Sequence, residues 1–108
     1  MDNLKVLGQL NPGATTLTDL YTVPAATQVT SSSIVICNQD VTAGTFRIAI
    51  RVGGGAINAK HYLYYDQQLL AKTTFIATIG ITLAATDIVS VYASSALMSF
   101  NLFGVQVT

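Results

Sequence analysis

Apolar and polar positions alternate along much of the chain. The cleanest stretch is Thr45-Phe46-Arg47-Ile48-Ala49-Ile50-Arg51-Val52, where Phe46, Ile48, Ile50 and Val52 share one parity and Arg47, Ala49 and Arg51 share the other. Successive side chains of a strand point to opposite faces, so this pattern predicts a half-buried β-strand. The same reading predicts strands near residues 4–10, 16–23, 29–38, 45–52, 61–65, 73–81, 88–94 and 98–107. Turn residues separate them. In Asn11-Pro12-Gly13 the proline presets one backbone angle and the glycine accepts a positive φ. Pro24 closes the second strand, having no N–H to give to a ladder. Asn38-Gln39-Asp40 and Gly53-Gly54-Gly55 fill later gaps. Residues 82–86 suit a short helical turn before Asp87, and residues 66–72 are the other short helical candidate. No stretch has the periodicity of an amphipathic helix.

Evenly spaced short strands with little loop predict an all-β domain. The expected architecture is a compact antiparallel two-sheet sandwich, jelly-roll-like, of about eight strands, with a small barrel as the alternative. It occupies residues 1–108 as a single domain, without linker, repeat or low-complexity tail. Residues 1–10 read either as the first strand of this sandwich or as an assembly arm that adds to a neighbour's edge.

Composition changes the picture at one point. Charged residues make up 9% of the 108, against about 25% in ordinary soluble domains. Apolar residues reach 51%, the formal net charge is zero, and there is neither Glu nor Trp. Disorder is excluded, because it needs low hydrophobicity and high charge. A nucleic-acid module would need a basic excess, which is absent. One Cys and one His cannot build a zinc or disulfide scaffold. Met1-Asp2-Asn3-Leu4-Lys5 lacks the pattern of a secretory signal. Apolar runs such as Ile34-Val35-Ile36-Cys37 fall far short of the roughly 18 residues of a membrane helix. The chain is also too short for a membrane barrel of eight strands.

Several predicted strands are apolar at both parities, notably Ile34-Val35-Ile36-Cys37 and Leu97-Met98-Ser99-Phe100-Asn101-Leu102-Phe103. A sandwich hides only one face of each sheet. The surplus must meet something else, because lone soluble chains seldom expose large apolar patches. So few charges also leave sheet edges poorly protected. Coverage within an assembly answers both points.

Chemistry is harder to find. His61 lacks an orienting carboxylate and a nucleophile; Asp66, five residues on, falls on the opposite strand face. Cys37 reads as a small core residue. Gly53-Gly54-Gly55 is followed by no phosphate-binding helix and reads as a hairpin connection. The five aspartates form no pair suited to calcium or glycoside chemistry. No catalytic residue, metal or cofactor is assigned, and an enzyme is not expected. Candidate interface residues are Leu4, Val6, Arg47, Arg51, Tyr62 and Tyr64. Arg47 and Arg51 share a strand face and suit either bidentate pairing with a partner's carboxylates or an ordinary solvent-facing stripe. Tyr62 and Tyr64 share another, suited to a sugar or a protein contact, with packing inside the sandwich as the plainer reading for at least one of the tyrosines and Tyr65 on the opposite face.

Taken in order, Leu20-Tyr21-Thr22-Val23-Pro24-Ala25, Ser33-Ile34-Val35-Ile36-Cys37-Asn38, Thr45-Phe46-Arg47-Ile48-Ala49, His61-Tyr62-Leu63-Tyr64-Tyr65-Asp66 and Gly80-Ile81-Thr82-Leu83-Ala84-Ala85-Thr86-Asp87 resemble small β-sandwich virion proteins of tailed bacteriophages. The resemblance runs from about Leu4 to the end and rests on strand patterns, so it transfers no functional residue. It implies a capsid cement (decoration) protein, or a head-tail accessory protein, made in the host bacterial cytoplasm and carried on the capsid surface. The implied partners are further copies of the chain, as a trimer if it sits on local threefold positions, and the major capsid protein. Nucleic acid and membrane are not expected partners. The alternative is a small tail- or fibre-associated module that recognises a host-surface glycan.

Overall fold

Thr, Val, Ile, Ser and Tyr dominate the predicted strands. Branched and aromatic side chains fit a pleated surface and lose rotamer freedom in a helix. The computed structural model describes residues 2–108; Met1, where the predicted domain and arm begin, lies outside them. The strands are β1 (Asp2–Leu10), β2 (Thr18–Thr22), β3 (Gln28–Asn38), β4 (Gly44–Arg51), β5 (Tyr62–Leu69), β6 (Thr74–Ala77), β7 (Ile81–Leu83), β8 (Ile88–Ala93) and β9 (Met98–Val107). The helical pieces among the described residues are two 3₁₀ turns, Val52–Gly54 and Ala59–His61.

Two antiparallel sheets result. The first runs β1-β9-β3-β6, with β7 also on β3; the second runs β2-β8-β4-β5. β6 pairs with Ile34 to Cys37 of β3, and β7 with Val29 to Ser31, both on the edge that β9 leaves open. They are one strand interrupted at residues 78–80. Counted once, it gives each sheet four strands in the jelly-roll arrangement. The fold is therefore the expected all-β two-sheet sandwich, with one predicted strand broken in two. β1 pairs with β9 of its own sheet, Asp2 opposite Val107 and Leu10 opposite Phe100.

The core lies between the sheets. Ile34, Ile36, Met98, Phe100 and Leu102 of the first sheet face Phe46, Ile48, Val89 and Val91 of the second, all fully buried. Phe46 joins the layers: its ring lies 5.2 Å from that of Phe75 and 6.3 Å from that of Phe100, the latter edge-on. Asn38 is fully buried too. Its Nδ2 donates to the carbonyls of Thr42, Leu69 and Leu70, and its Oδ1 accepts from the Asp40 amide. This residue ends β3 and ties it to the β5–β6 connection. Gly104 marks a tight approach of β9 to β3, where an added Cβ would meet the Thr30 carbonyl and Ser31 Cα.

Three local expectations are corrected. Residues 82–86 do not form a helical turn: Ile81–Leu83 is a strand, and the following turn is closed by Asp87, whose carboxylate accepts from the amides of Ala84 and Gly53. Residues 66–72 continue β5 as far as Leu69 rather than starting a helix. Val52 leaves the buried face of β4 and is exposed in a 3₁₀ turn, because Gly53 and Gly54 take positive φ there.

Candidate functional site: the two outward sheet faces

The outward face of the second sheet carries an internally paired polar network. Asp19 of β2, Ser90 of β8, Ala49 of β4 and Tyr62 of β5 stand in one cross-strand row. Ala49 and Ser90 are small, and longer neighbours bury them. Arg51 covers that trough. Its Nε donates to Ser90 Oγ (3.1 Å), its Nη1 to the Gly55 carbonyl (3.2 Å) and its Nη2 to Asp19 Oδ1 (2.8 Å). Ser90 Oγ in turn donates to Asp19 Oδ1 at 3.0 Å.

Arg47 forms the second centre. Its guanidinium lies between two tyrosine rings, 4.2 Å from the centroid of Tyr65 and 4.1 Å from that of Tyr92. Its Nε and Nη2 donate to the two oxygens of Asp66, at 2.6 and 3.3 Å. The Asp66 hydrogen bond, first among the causes, raises the guanidinium's proton affinity above its ordinary value. Cation–π contact and bidentate pairing act together here. Both arginines are thus engaged within the chain, which corrects the expectation that they reach for a partner's carboxylates.

The tyrosine faces are also corrected. Tyr64 is opposite inward-facing Ile48 and packs its ring against Phe75 (5.4 Å) and Phe46 (6.1 Å). Tyr62 is opposite outward-facing Ala49, and its ring meets Tyr65 edge-on at 4.9 Å. Tyr62 and Tyr64 therefore lie on opposite faces, and Tyr65 joins Tyr62. The cause is register. Between Phe46 and Ala49 of β4, β5 advances from Gln67 to Tyr62, two residues more than its partner, through two irregularities. Asp66 adopts φ 54° at the first. Each extra residue reverses the alternation that strict parity assumes. Ile57, Asn58, Ala59, Tyr62 and Tyr65 line an open hollow of about 550 Å³. His61 closes a local turn beside it, its Nδ1 accepting from the Asn58 amide.

The outward face of the first sheet is different. Val6 of β1, Phe103 of β9 and Ser33 of β3 stand in one row; Leu4, Val105 and Thr30 in the next; Asn101, Val35 and Ile76 in another. Leu4 is 82% exposed, Ile76 62% and Val6 44%; Val35, Phe103 and Val105 are half-buried. Leu4 and Val6 thus stand on an open apolar face. Leu7 turns inward to the core, because the ladder slips between Val6 and Gly8. Cys37 lies on this face, half-buried between Ser99 and Thr74, which corrects its expected place in the core. Strand alternation leaves Asp2, at one corner, as the charge on the outward strand positions.

Sequence reasoning missed Tyr65, Tyr92 and Asp66 as partners of Arg47, and Ile76 as part of the apolar face. The Arg47–Tyr92 pair depends on cross-strand register, which no local pattern encodes. Ile76 had a signal, since Phe75-Ile76-Ala77 is apolar at both parities. Among the described residues no three His, Cys, Asp or Glu side chains gather as a metal would require. Among the described residues no helix is long and apolar enough to cross a membrane.

No protein-family model matches the sequence, and no curated protein does. A chain in the solved structure of infectious bursal disease virus, Gx strain, is similar in fold, with a TM-score of 0.54 at 13% identity. The match covers 98% of the present chain and 32% of the viral one, so this chain spans about a third of that protein's length. At this identity the likeness speaks for the fold.

Proposed function

We propose that this chain is a structural protein of a tailed-phage virion: a capsid cement protein that binds the head surface as a homo-oligomer and bridges neighbouring major capsid subunits. The observation that carries the reading is the open apolar face of the first sheet, with Leu4, Val6 and Ile76 exposed on it. A chain with 9% charged residues and such a face is suited to coverage by neighbours. The sequence resemblance to small phage virion proteins supports the same reading, as does a jelly-roll sandwich similar in fold to a chain of another virus. Its mechanism would be linkage. A protein that binds the assembled shell and not the burst one shifts the balance toward the shell by RT ln(1 + [L]/Kd). The test is to add the purified chain to heads that lack it. Saturable binding in many copies, with a higher temperature of head rupture, is the expected result. Failure to bind heads, with recovery at the tail instead, would overturn it.

A second reading has one observation in its favour. The hollow beside Tyr62 and Tyr65 offers two aromatic rings to a sugar, as a tail- or fibre-associated glycan-binding module would. Tyr64 is packed inward and takes no part. Glycan-array binding lost in Tyr65→Ala would favour this reading; an array without signal would leave the first.

A further inference from the structure

The outward residues of the first sheet place an almost uncharged apolar surface across four strands, and the question is what covers it. We infer that a second copy of this chain packs on it face to face, so that two sandwiches share their β1-β9-β3-β6 sheets across a twofold axis. The inference rests on the reading of this face as an assembly surface and names its occupant.

Three observations select the second copy. The first is charge. Asp2 at one corner is the charge on the outward strand positions, while Leu4 and Val6 of β1, Phe103 and Val105 of β9, Val35 of β3 and Ile76 of β6 run across the face from edge to edge. A strongly charged partner would find little beyond Asp2 and the exposed Lys5 of the edge strand to pair with, whereas an identical, nearly neutral face matches with few ions to desolvate. The second is area. Three strands of 9 to 11 residues and the shorter β6 and β7, at about 4.8 Å spacing and about 3.3 Å per residue, give a flat footprint on the order of 600 Å². Side-chain relief raises the accessible area toward the roughly 800 Å² per partner of a stable interface. The third is the make-up of the rest of the face. Gln9, Thr30, Ser33, Thr74, Ser99 and Asn101 stand among and beside the apolar residues as neutral polar groups, and Gln9 Nε2 already donates to Asn101 Oδ1 at 2.7 Å. Interfaces carry hydrogen bonds beside their apolar contacts, and neutral groups of this kind can supply them across two identical faces. An isologous contact of this kind closes at two copies, so a pair rather than a trimer is the expected species in solution.

Cys37, half-buried on the same face, reports on the contact without any substitution. It is the one cysteine of the sequence. Sedimentation of the purified chain should give twice the chain mass at micromolar concentration. The reaction of Cys37 with a disulfide reagent such as Ellman's should slow as protein concentration rises. Ile76→Asp and Leu4→Asp change exposed positions and should leave the circular dichroism spectrum intact. Each should raise the dimer dissociation constant at least about tenfold, the change equivalent to 1.4 kcal/mol, and speed Cys37 modification at high concentration. A single-copy species at hundreds of micromolar, or a pair unmoved by Ile76→Asp with unchanged Cys37 kinetics, would overturn the inference. Particle binding separates this inference from the cement reading. A single-copy chain that still decorates heads overturns the pairing and leaves the cement reading. A pair that binds no head does the reverse.

Discussion

The two outward faces of this sandwich handle water in opposite ways. On the second sheet, Arg47 and Arg51 are met by Asp66 and Asp19 and covered by Tyr65, Tyr92 and Ser90, so charge is satisfied within the chain. On the first sheet, Leu4, Val6 and Ile76 stand open with no such cover. Both faces belong to strands with similar composition. The difference lies in which positions carry charge: four of the ten charged residues sit on or around the second sheet's outer face. A face that satisfies its own charges has little left to offer a partner, while a face without charges gains most by being covered. Under the proposed cement reading, contact with neighbours falls to the plainer of the two.

The comparison can be broken or sharpened by substitution. The largest effect should come from removing the ring beneath both faces. Phe46→Ala should lower unfolding free energy by about 3–5 kcal/mol in urea denaturation, weakening both faces together. Asn38→Ala should cost about 1–3 kcal/mol by the same measurement, because the carbonyls of Thr42, Leu69 and Leu70 lose a shared donor. Arg47→Ala should cost about 1–2 kcal/mol, the sum of a bidentate pair and cation–π contact at a partly exposed site. It should leave sedimentation unchanged, since this face lies outside the proposed contact; a change in mass would move the interface here.

Asp40 offers a smaller, pH-dependent effect. The Ser95 hydroxyl, first, and the Val41 and Thr42 amides donate to its carboxylate and together hold its pKa below the ordinary value, against desolvation, which ranks second and raises it. A carboxyl lowered on folding adds stability above its unfolded pKa, and that share is lost as pH falls through the folded value. Asp40→Asn should therefore be less stable than the parent near neutral pH, and the gap should narrow in acid melts. The smallest effect on folding is expected for Ile76→Ser, within about 0.5 kcal/mol in dilute solution. A large loss there would mean that Ile76 supports its own sheet.

Much of this fold was legible because alternation is a local signal. Strict parity in β4 placed Phe46 and Ile48 inside, Arg47 and Arg51 outside. The surplus apolar positions of β3 and β9 pointed to an open face, and Val35, Phe103 and Val105 lie on one. What parity misread lies in β5. Two extra residues against β4 turn Tyr64 inward and bring Tyr65 over Arg47, and a slip in register leaves no mark that Tyr62-Leu63-Tyr64-Tyr65 displays on its own. Asn38 shows the same limit: a turn-forming residue by type became a buried clamp, because carbonyls distant in sequence converge on it. The arginines were placed on the right face, but their partners were fixed by neighbouring strands.

The pairing of β1 with β9 sets Asp2 directly opposite Val107. A short linker across that gap would make a circular chain, and the β4–β5 connection, where Gly53 and Gly55 are exposed, is a natural place to open it again. Such a permutant would keep every sheet neighbour and would open at a turn that contacts β8 of the second sheet, so a tag carried there would leave the apolar face of the first sheet unobstructed.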